Sequence, residues 1–299
     1  MDYSGVFPAL TTPYAADGSV SLADLKHNIH KYNGTDLAGY VAMGSTGESV
    51  LLSRAEADGV LVTVKEAAAK EKKLIAGTGA ESTAETIERT KRAAEIGYHA
   101  ALVKTPYYYK PSYKPDVLIA HYRRVADASP IPILLYSVPQ FTGVALEANE
   151  VHALASHPNI IGIKDSSGNV LRIGEMVSAA PPTFQILVGA AASVLPSMSI
   201  GARGAILALA CALPEKCVAV YHFVHQGHWD NARELQSLLA VASRKIVSEC
   251  GIAGVKFVMD QRGYRGGICR LPLPELQDEQ KRSLRELLAG LEPAAVRAS

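Results

Sequence analysis

Eight short apolar runs, rich in β-branched residues, recur along this chain at a near-constant interval, and this recurrence limits the fold more than any other feature. The runs are Val6–Leu10, Gly39–Met43, Leu74–Thr78, Ala100–Lys104, Ile131–Ser137, Ile160–Lys164, Phe184–Gly189 and Ala205–Leu209. Their starts lie about 28 residues apart on average, the size of one βα unit. Several runs are apolar at nearly every position, as strands covered on both faces must be. Stretches of helical period lie between them. Ser53-Arg54-Ala55-Glu56 and Ser82-Thr83-Ala84-Glu85 both fit a capping box, in which a hydroxyl and a carboxylate satisfy orphan N–H groups. After the first box, Ala57, Leu61, Val64 and Ala68 share one helical face.

Eight strand–helix units predict an α/β fold, a (β/α)8 TIM barrel with a C-terminal helical extension. The competitor is an open doubly wound sheet. It uses fewer strands, and a dinucleotide binder of that kind carries G-x-G-x-x-G after its first strand. Here the first strand leads into Thr11-Thr12-Pro13-Tyr14, and Gly77-Thr78-Gly79 is only a fragment of such a motif. No linker separates two halves. The barrel is expected over residues 1–213. Residues 214–299 are expected to form a helical extension packed on it, with amphipathic helices at 230–244 and 278–291 and an extended segment at 271–274.

Composition narrows the function classes. Lys plus Arg number 30 and Asp plus Glu 29, a net charge of +1, without the basic excess of a nucleic-acid binder. No apolar stretch spans a bilayer, and the N-terminus MDYSGVFPAL has no basic region before an apolar run, so neither a membrane nor a secretory address is expected. Cys211, Cys217, Cys250 and Cys269 form no C-x-x-C pair, which points to free thiols and a reducing cytoplasm. His222 and His225 share a helix face, but Gly227 follows closely and no carboxylate is fixed nearby. A solvated helix end is expected there, and no metal site.

In a barrel enzyme, chemistry sits at the C-terminal ends of the strands. Lys164 closes the run Ile160-Ile161-Gly162-Ile163-Lys164. Burial disfavours the ammonium form of a lysine, and a neutral amine attacks carbonyls, so Schiff-base catalysis is one reading. The other is a lysine that snorkels outward or pairs with Asp165. Tyr136, one strand earlier, is either a proton shuttle or a core tyrosine with a satisfied hydroxyl. Gly44-Ser45-Thr46-Gly47-Glu48 after the second strand can expose consecutive amides as a carboxylate nest, or can be a plain strand-to-helix turn. Tyr107, Tyr108 and Tyr109 after the fourth strand suggest a subunit interface or a pocket wall.

Taken together and in this order, these pieces resemble the dihydrodipicolinate synthase / N-acetylneuraminate lyase family of class I aldolases. The likeness runs from Phe7-Pro8-Ala9-Leu10-Thr11-Thr12-Pro13 to Arg270-Leu271-Pro272-Leu273. It implies a (β/α)8 barrel, commonly a homotetramer built as a dimer of dimers, acting on small 2-oxo acids with no cofactor beyond a covalent lysine. By the resemblance, Lys164 forms the Schiff base with the 2-oxo group, and Tyr136 relays protons. Ser45 and Thr46 are the pair that binds the carboxylate and connects to Tyr136. Tyr108 enters a partner subunit's relay across the dimer interface, and Gly189 and Ile206 line the pocket.

One position departs from the pattern of the synthases that feed lysine biosynthesis. Where they carry an arginine for the substrate's distal carboxylate, this chain has Phe141, within Tyr136-Ser137-Val138-Pro139-Gln140-Phe141-Thr142-Gly143. Phenylalanine supplies none of the bidentate donors of a guanidinium. The segments Leu135–Pro139, His157–Ile160, Lys164–Ser166 and Gly251 through Arg270 are instead most similar to family members that cleave 4-hydroxy-2-oxoglutarate to pyruvate and glyoxylate. Gln140, Ser166 and Ser167 are then the groups available to the far carboxylate. The alternatives are the synthase reaction of pyruvate with aspartate semialdehyde, another pyruvate-dependent aldolase, or a non-catalytic barrel that binds 2-oxo acids.

Overall fold

The structure, a computed structural model, describes residues 2–291. Each apolar run yields one parallel strand: β1 (Gly5–Pro8), β2 (Gly39–Ala42), β3 (Lys73–Gly77), β4 (Ala100–Lys104), β5 (Ile133–Ser137), β6 (Ile160–Asp165), β7 (Gln185–Val188) and β8 (Gly204–Leu207). They pair in the order β1-β8-β7-β6-β5-β4-β3-β2. The ring closes where the Ala38 N–H donates to the Val6 carbonyl and the Leu10 N–H to the Val41 carbonyl, both at 2.9 Å. No long strand edge is left to pair with another chain. β5 starts at Ile133 rather than Ile131, because Pro132 has no N–H to give a ladder.

Alternation along the strands sorts side chains into two layers. Phe7, Val41, Ile75, Leu102, Leu134, Leu187 and Ile206 fill the barrel interior. Val6, Tyr40, Leu74, Val103, Leu135, Ile163, Val188 and Ala205 point outward against the helices. This period of two fixes the site. Ile163 faces out, so Lys164 faces in and Asp165 faces out.

The first capping box is complete. The Ser53 hydroxyl accepts from the Glu56 N–H, and the Glu56 carboxylate accepts from the Ser53 N–H. Behind it Val60, Leu61, Val64 and Ala67 are buried, while the predicted Ala57 and Ala68 pack at the margin. The second box is half made: Ser82 accepts from the Glu85 N–H at 3.1 Å, but the Glu85 carboxylate is taken by Arg54 and Arg89.

After β8 the chain is helical at Pro214–His225, Trp229–Ala242 and Gly251–Gln261, with a π-helical segment Ser243–Glu249 between the last two, and again at Asp278–Leu291. Pro214–His225 packs on β1. Leu239, Ile246, Val258 and Leu284 belong to the same core cluster as the outward faces of the strands. Residues 292–299, the end of the predicted extension, lie outside the described residues. Residues 271–273 bend back, closed by the Leu273 N–H to the Arg270 carbonyl at 3.0 Å, where an extended segment was expected over 271–274. The closed barrel offers them no edge to pair with. No helix among the described residues is long and apolar enough to cross a membrane. All four cysteines are free. His222 and His225 flank Tyr221, whose ring centroid lies 5.6 and 4.1 Å from theirs. No group of three or more His, Cys, Asp or Glu side chains placed to hold a metal occurs among the described residues.

Candidate active site

A cavity of about 360 Å³ opens at the C-terminal mouth of the barrel. Lys164 enters it from β6 and is only 4% exposed. Both simpler readings of this lysine fail. Burial rules out snorkelling. Asp165, on the opposite face of the strand, is taken by the Ser167 hydroxyl and N–H and lies 3.3 Å from Arg172 Nε. No carboxylate among the described residues lies within ion-pair distance of Lys164. Its Nζ sits 4.4 Å from the ring centroid of Tyr136, its ladder neighbour on β5.

Tyr136 packs its ring in the core and still presents its hydroxyl to the cavity. Its ring belongs to the interior cluster, and its hydroxyl reaches the cavity, 3.3 Å from Ser45 Oγ. Ser45 and Thr46 line the cavity from a 3-10 turn, Ser45–Gly47. The N–H groups of Gly47 and Glu48 bond back to the carbonyls of Gly44 and Ser45, at 3.1 and 3.0 Å. The amides of Ser45 and Thr46 are therefore the pair open to a carboxylate, and the expected nest has two members. Thr12 Oγ1 donates to the Gly47 carbonyl at 2.7 Å and steadies the turn.

Gly189, at the end of β7, also lines the cavity. A Cβ there would meet Ser166 Oγ at 1.9 Å, so this glycine makes room for Ser166 in the wall. Gln140 lines the cavity and donates from Nε2 to the Ser166 carbonyl at 3.0 Å, while the Ser167 hydroxyl is occupied by Asp165. Phe141 stands at the rim, 66% exposed. Ile206 departs from its expected place. It is buried in the interior layer, paired in register with Phe7, and does not line the cavity. Tyr108 is 72% exposed and Tyr109 packs edge-on against it at 5.0 Å. Neither lines the cavity of its own chain. One Glu81 carboxylate oxygen accepts from the N–H groups of Tyr107 and Tyr108 at 3.1 and 2.9 Å, fixing the loop.

The remaining wall comes from residues that the sequence reading did not place. Val247, Ser248, Gly251, Ile252 and Val255 all line the cavity from the C-terminal helices. Gly251 and Ile252 stand in the sequence only as the start of a stretch that carries the family likeness, with no position assigned to them. A π-helical segment of this kind inside a helical run is often found at a functional site, because the extra residue turns side chains out of the regular period.

Behind the turn, Arg270 holds the Glu56 carboxylate with two nitrogens, at 2.9 and 2.5 Å. These bonds, with the Ser53 N–H, hold the Glu56 carboxyl down to about 2 against an ordinary value of 4.5. A carboxylate depressed in the folded state stabilises above its unfolded pKa, and that contribution drains as pH falls toward the folded pKa. Glu56→Gln is therefore expected to lower Tm at pH 7. The gap between the variant and the wild type should narrow steadily from about pH 4.5 to pH 2. A gap independent of pH in calorimetric scans would count against the ion pair.

An inward lysine and tyrosine, a turn with two open amides and a C-terminal wall fit a barrel lyase of the class I aldolase type. Residues 2–291 match the dihydrodipicolinate synthetase family, and the chain belongs to it; it is an enzyme of the pyruvate-dependent class I aldolases. The chain is 36% identical over 290 residues to a 4-hydroxy-tetrahydrodipicolinate synthase of Methanothrix thermoacetophila, covering 97% of both chains. It is 37% identical over 271 residues to one of an Exiguobacterium species, covering 91% of this chain and 92% of the other. Among solved structures, a dihydrodipicolinate synthase of Bacillus anthracis superposes with a TM-score of 0.93 at 27% identity, over 98% of this chain and 100% of that one. The chloride-inhibited enzyme of Acinetobacter baumannii, complexed with pyruvate, superposes with a TM-score of 0.90 at 34% identity, over 96% of this chain and 98% of that one.

Proposed function

We propose that the protein cleaves 4-hydroxy-2-oxoglutarate to pyruvate and glyoxylate through a Schiff base on Lys164. The observation that carries this reading is the buried Lys164 itself, in a cavity that no other lysine or arginine among the described residues lines. One amine then serves as nucleophile, and the rest of the lining offers neutral donors, Ser166, Gln140 and Ser248, together with Phe141.

In this mechanism the substrate carboxylate rests on the amides and hydroxyls of Ser45 and Thr46. Lys164 Nζ adds to the ketone, and water leaves to give an iminium. The iminium draws the electron pair of the C3–C4 bond as that bond breaks. Tyr136, which Ser45 orients, gives its proton to the water that leaves, and the tyrosinate so formed takes the C4 hydroxyl proton as glyoxylate departs. The resulting enamine takes a proton at C3, and water hydrolyses the iminium to pyruvate and free Lys164. The iminium is the electron sink, so the chemistry calls for no metal or organic cofactor.

The exposed Tyr108 loop supports an assembly in which a partner subunit receives this tyrosine beside its own Tyr136 and Thr46, within a dimer of dimers. Four free thiols, three of them buried, suit the reducing cytoplasm.

One observation favours a second reading. The relatives named above carry the name 4-hydroxy-tetrahydrodipicolinate synthase, which points to condensation of pyruvate with aspartate semialdehyde. Both reactions are tested side by side. Pyruvate release from racemic 4-hydroxy-2-oxoglutarate, coupled to lactate dehydrogenase, is expected to exceed the condensation rate. The reverse order would transfer the assignment to the synthase. In whichever reaction dominates, Tyr136→Phe is expected to lower kcat by about 10²–10⁴, the usual worth of a positioned acid–base group. An unchanged rate would remove Tyr136 from proton transfer.

A further inference from the structure

The Ser45–Gly47 turn and the helix Gly251–Gln261 both line the cavity, the turn with Ser45 and Thr46, the helix with Gly251, Ile252 and Val255. A buried ion pair joins them. Glu48 follows the turn with φ +54°, a left-handed conformation uncommon for any residue but glycine. Its N–H closes the turn on the Ser45 carbonyl at 3.0 Å. Its Oε1 lies 2.5 Å from Lys256 Nζ on the helix, and the two side chains are 0% and 1% exposed.

The surroundings complete both charges. Glu48 Oε2 accepts from the Arg270 N–H at 2.8 Å. Lys256 Nζ donates to the Ile268 carbonyl at 2.6 Å and lies 4.6 Å from the centroid of Tyr14. The Arg270 guanidinium lies 4.5 Å from the same ring. Burial pushes the Lys256 ammonium down, and Glu48 opposes that shift. A left-handed backbone at Glu48 persists only where its surroundings over-determine it. Here the ion pair and the Arg270 amide do so.

We propose that Glu48 and Lys256 are the positioning pair for the substrate carboxylate: their buried ion pair sets the Ser45–Thr46 amides in register with the helical wall of the cavity. This rests on the Schiff-base reading above. It adds that affinity for the 2-oxo acid is controlled by two residues that do not touch it.

The test titrates pyruvate against wild-type enzyme and variants, with borohydride trapping of the adduct on Lys164 read by intact mass. Trapping by the wild type checks the Schiff-base reading separately, without any aldehyde. In Glu48→Gln, the pyruvate concentration for half-maximal trapping is expected to rise at least about tenfold, since small misplacements of binding groups cost up to about 10²-fold. Trapping at saturation should be unchanged, and KM should rise with kcat within about threefold, a split that general destabilisation would not give. A folded Glu48→Gln with an unshifted curve overturns the proposal. If that variant does not fold, Glu48→Gln/Lys256→Met, which strands no buried charge, is expected to fold and to show the same shift. An unshifted curve in the double variant, or failure of both variants to fold, would make the pair a support of the whole fold and sink its assignment to this site.

Discussion

Lys164→Ala is expected to abolish turnover with any 2-oxo acid while leaving the protein folded and at least as stable. Both halves follow from the same burial. The amine supplies the covalent electron sink, and nothing else lining the cavity replaces it: Ser45, Thr46, Tyr136, Ser166 and Ser248 offer hydroxyls, and Gln140 an amide. A lysine buried without a carboxylate partner also costs desolvation that alanine does not. The coupled pyruvate assay and a thermal melt on one preparation check both halves. Appreciable residual turnover would end the Schiff-base assignment. Lost turnover with a sharply lowered Tm would instead make Lys164 a structural residue. Pyruvate with borohydride should add no mass to this variant.

Phe141→Arg is expected to have the second largest effect, in the direction of gain. Phe141 is exposed at the rim and packed into nothing that its removal would collapse, so the substitution carries little cost in stability. It would place a guanidinium on a cavity whose lining, Lys164 apart, holds only neutral groups. A charge-assisted hydrogen bond contributes about 1.5–3 kcal/mol, which corresponds to roughly 10–150-fold in kcat/KM. Condensation of pyruvate with aspartate semialdehyde should rise by such a factor. If the variant shows no gain, the residue at position 141 does not decide between the two reactions, and the choice lies with Gln140, Ser166 or the C-terminal wall.

The fold was legible because the barrel repeats a single physical demand eight times. Each strand is covered on both faces and each helix on one, and both periods stand in the sequence. Lys164 and Tyr136 were legible for a related reason: a polar residue at the end of an apolar run is costly unless it does something there. The alternation that turns Ile163 outward also turns Lys164 inward, so the register takes Lys164 away from Asp165 and into the cavity. Ile206 was carried by resemblance alone, and packing placed it one layer below the cavity. Ser248, Ile252 and Val255 were not legible, because they reach the site from a π-helical segment and a helix whose position depends on tertiary docking. Glu48 could not be read from its neighbours, since its partner Lys256 lies far along the chain.

That separation has a consequence for how the enzyme comes into being. Translation delivers Glu48 early and Lys256 late, and segments begin to organise in that order. A lone carboxylate does not enter an apolar interior, so in a nascent chain that ends at β8 this turn stays in water. Lys164 on β6 and Tyr136 on β5 are by then already synthesised, beside a mouth that lacks the wall from the C-terminal helices. The same late helix both buries Glu48 against Lys256 and supplies a wall of the cavity that holds Lys164. Maturation of the catalytic centre is thus tied to completion of the polypeptide, and a ribosome-stalled or prematurely terminated product carries the lysine without the chamber that gives it a substrate.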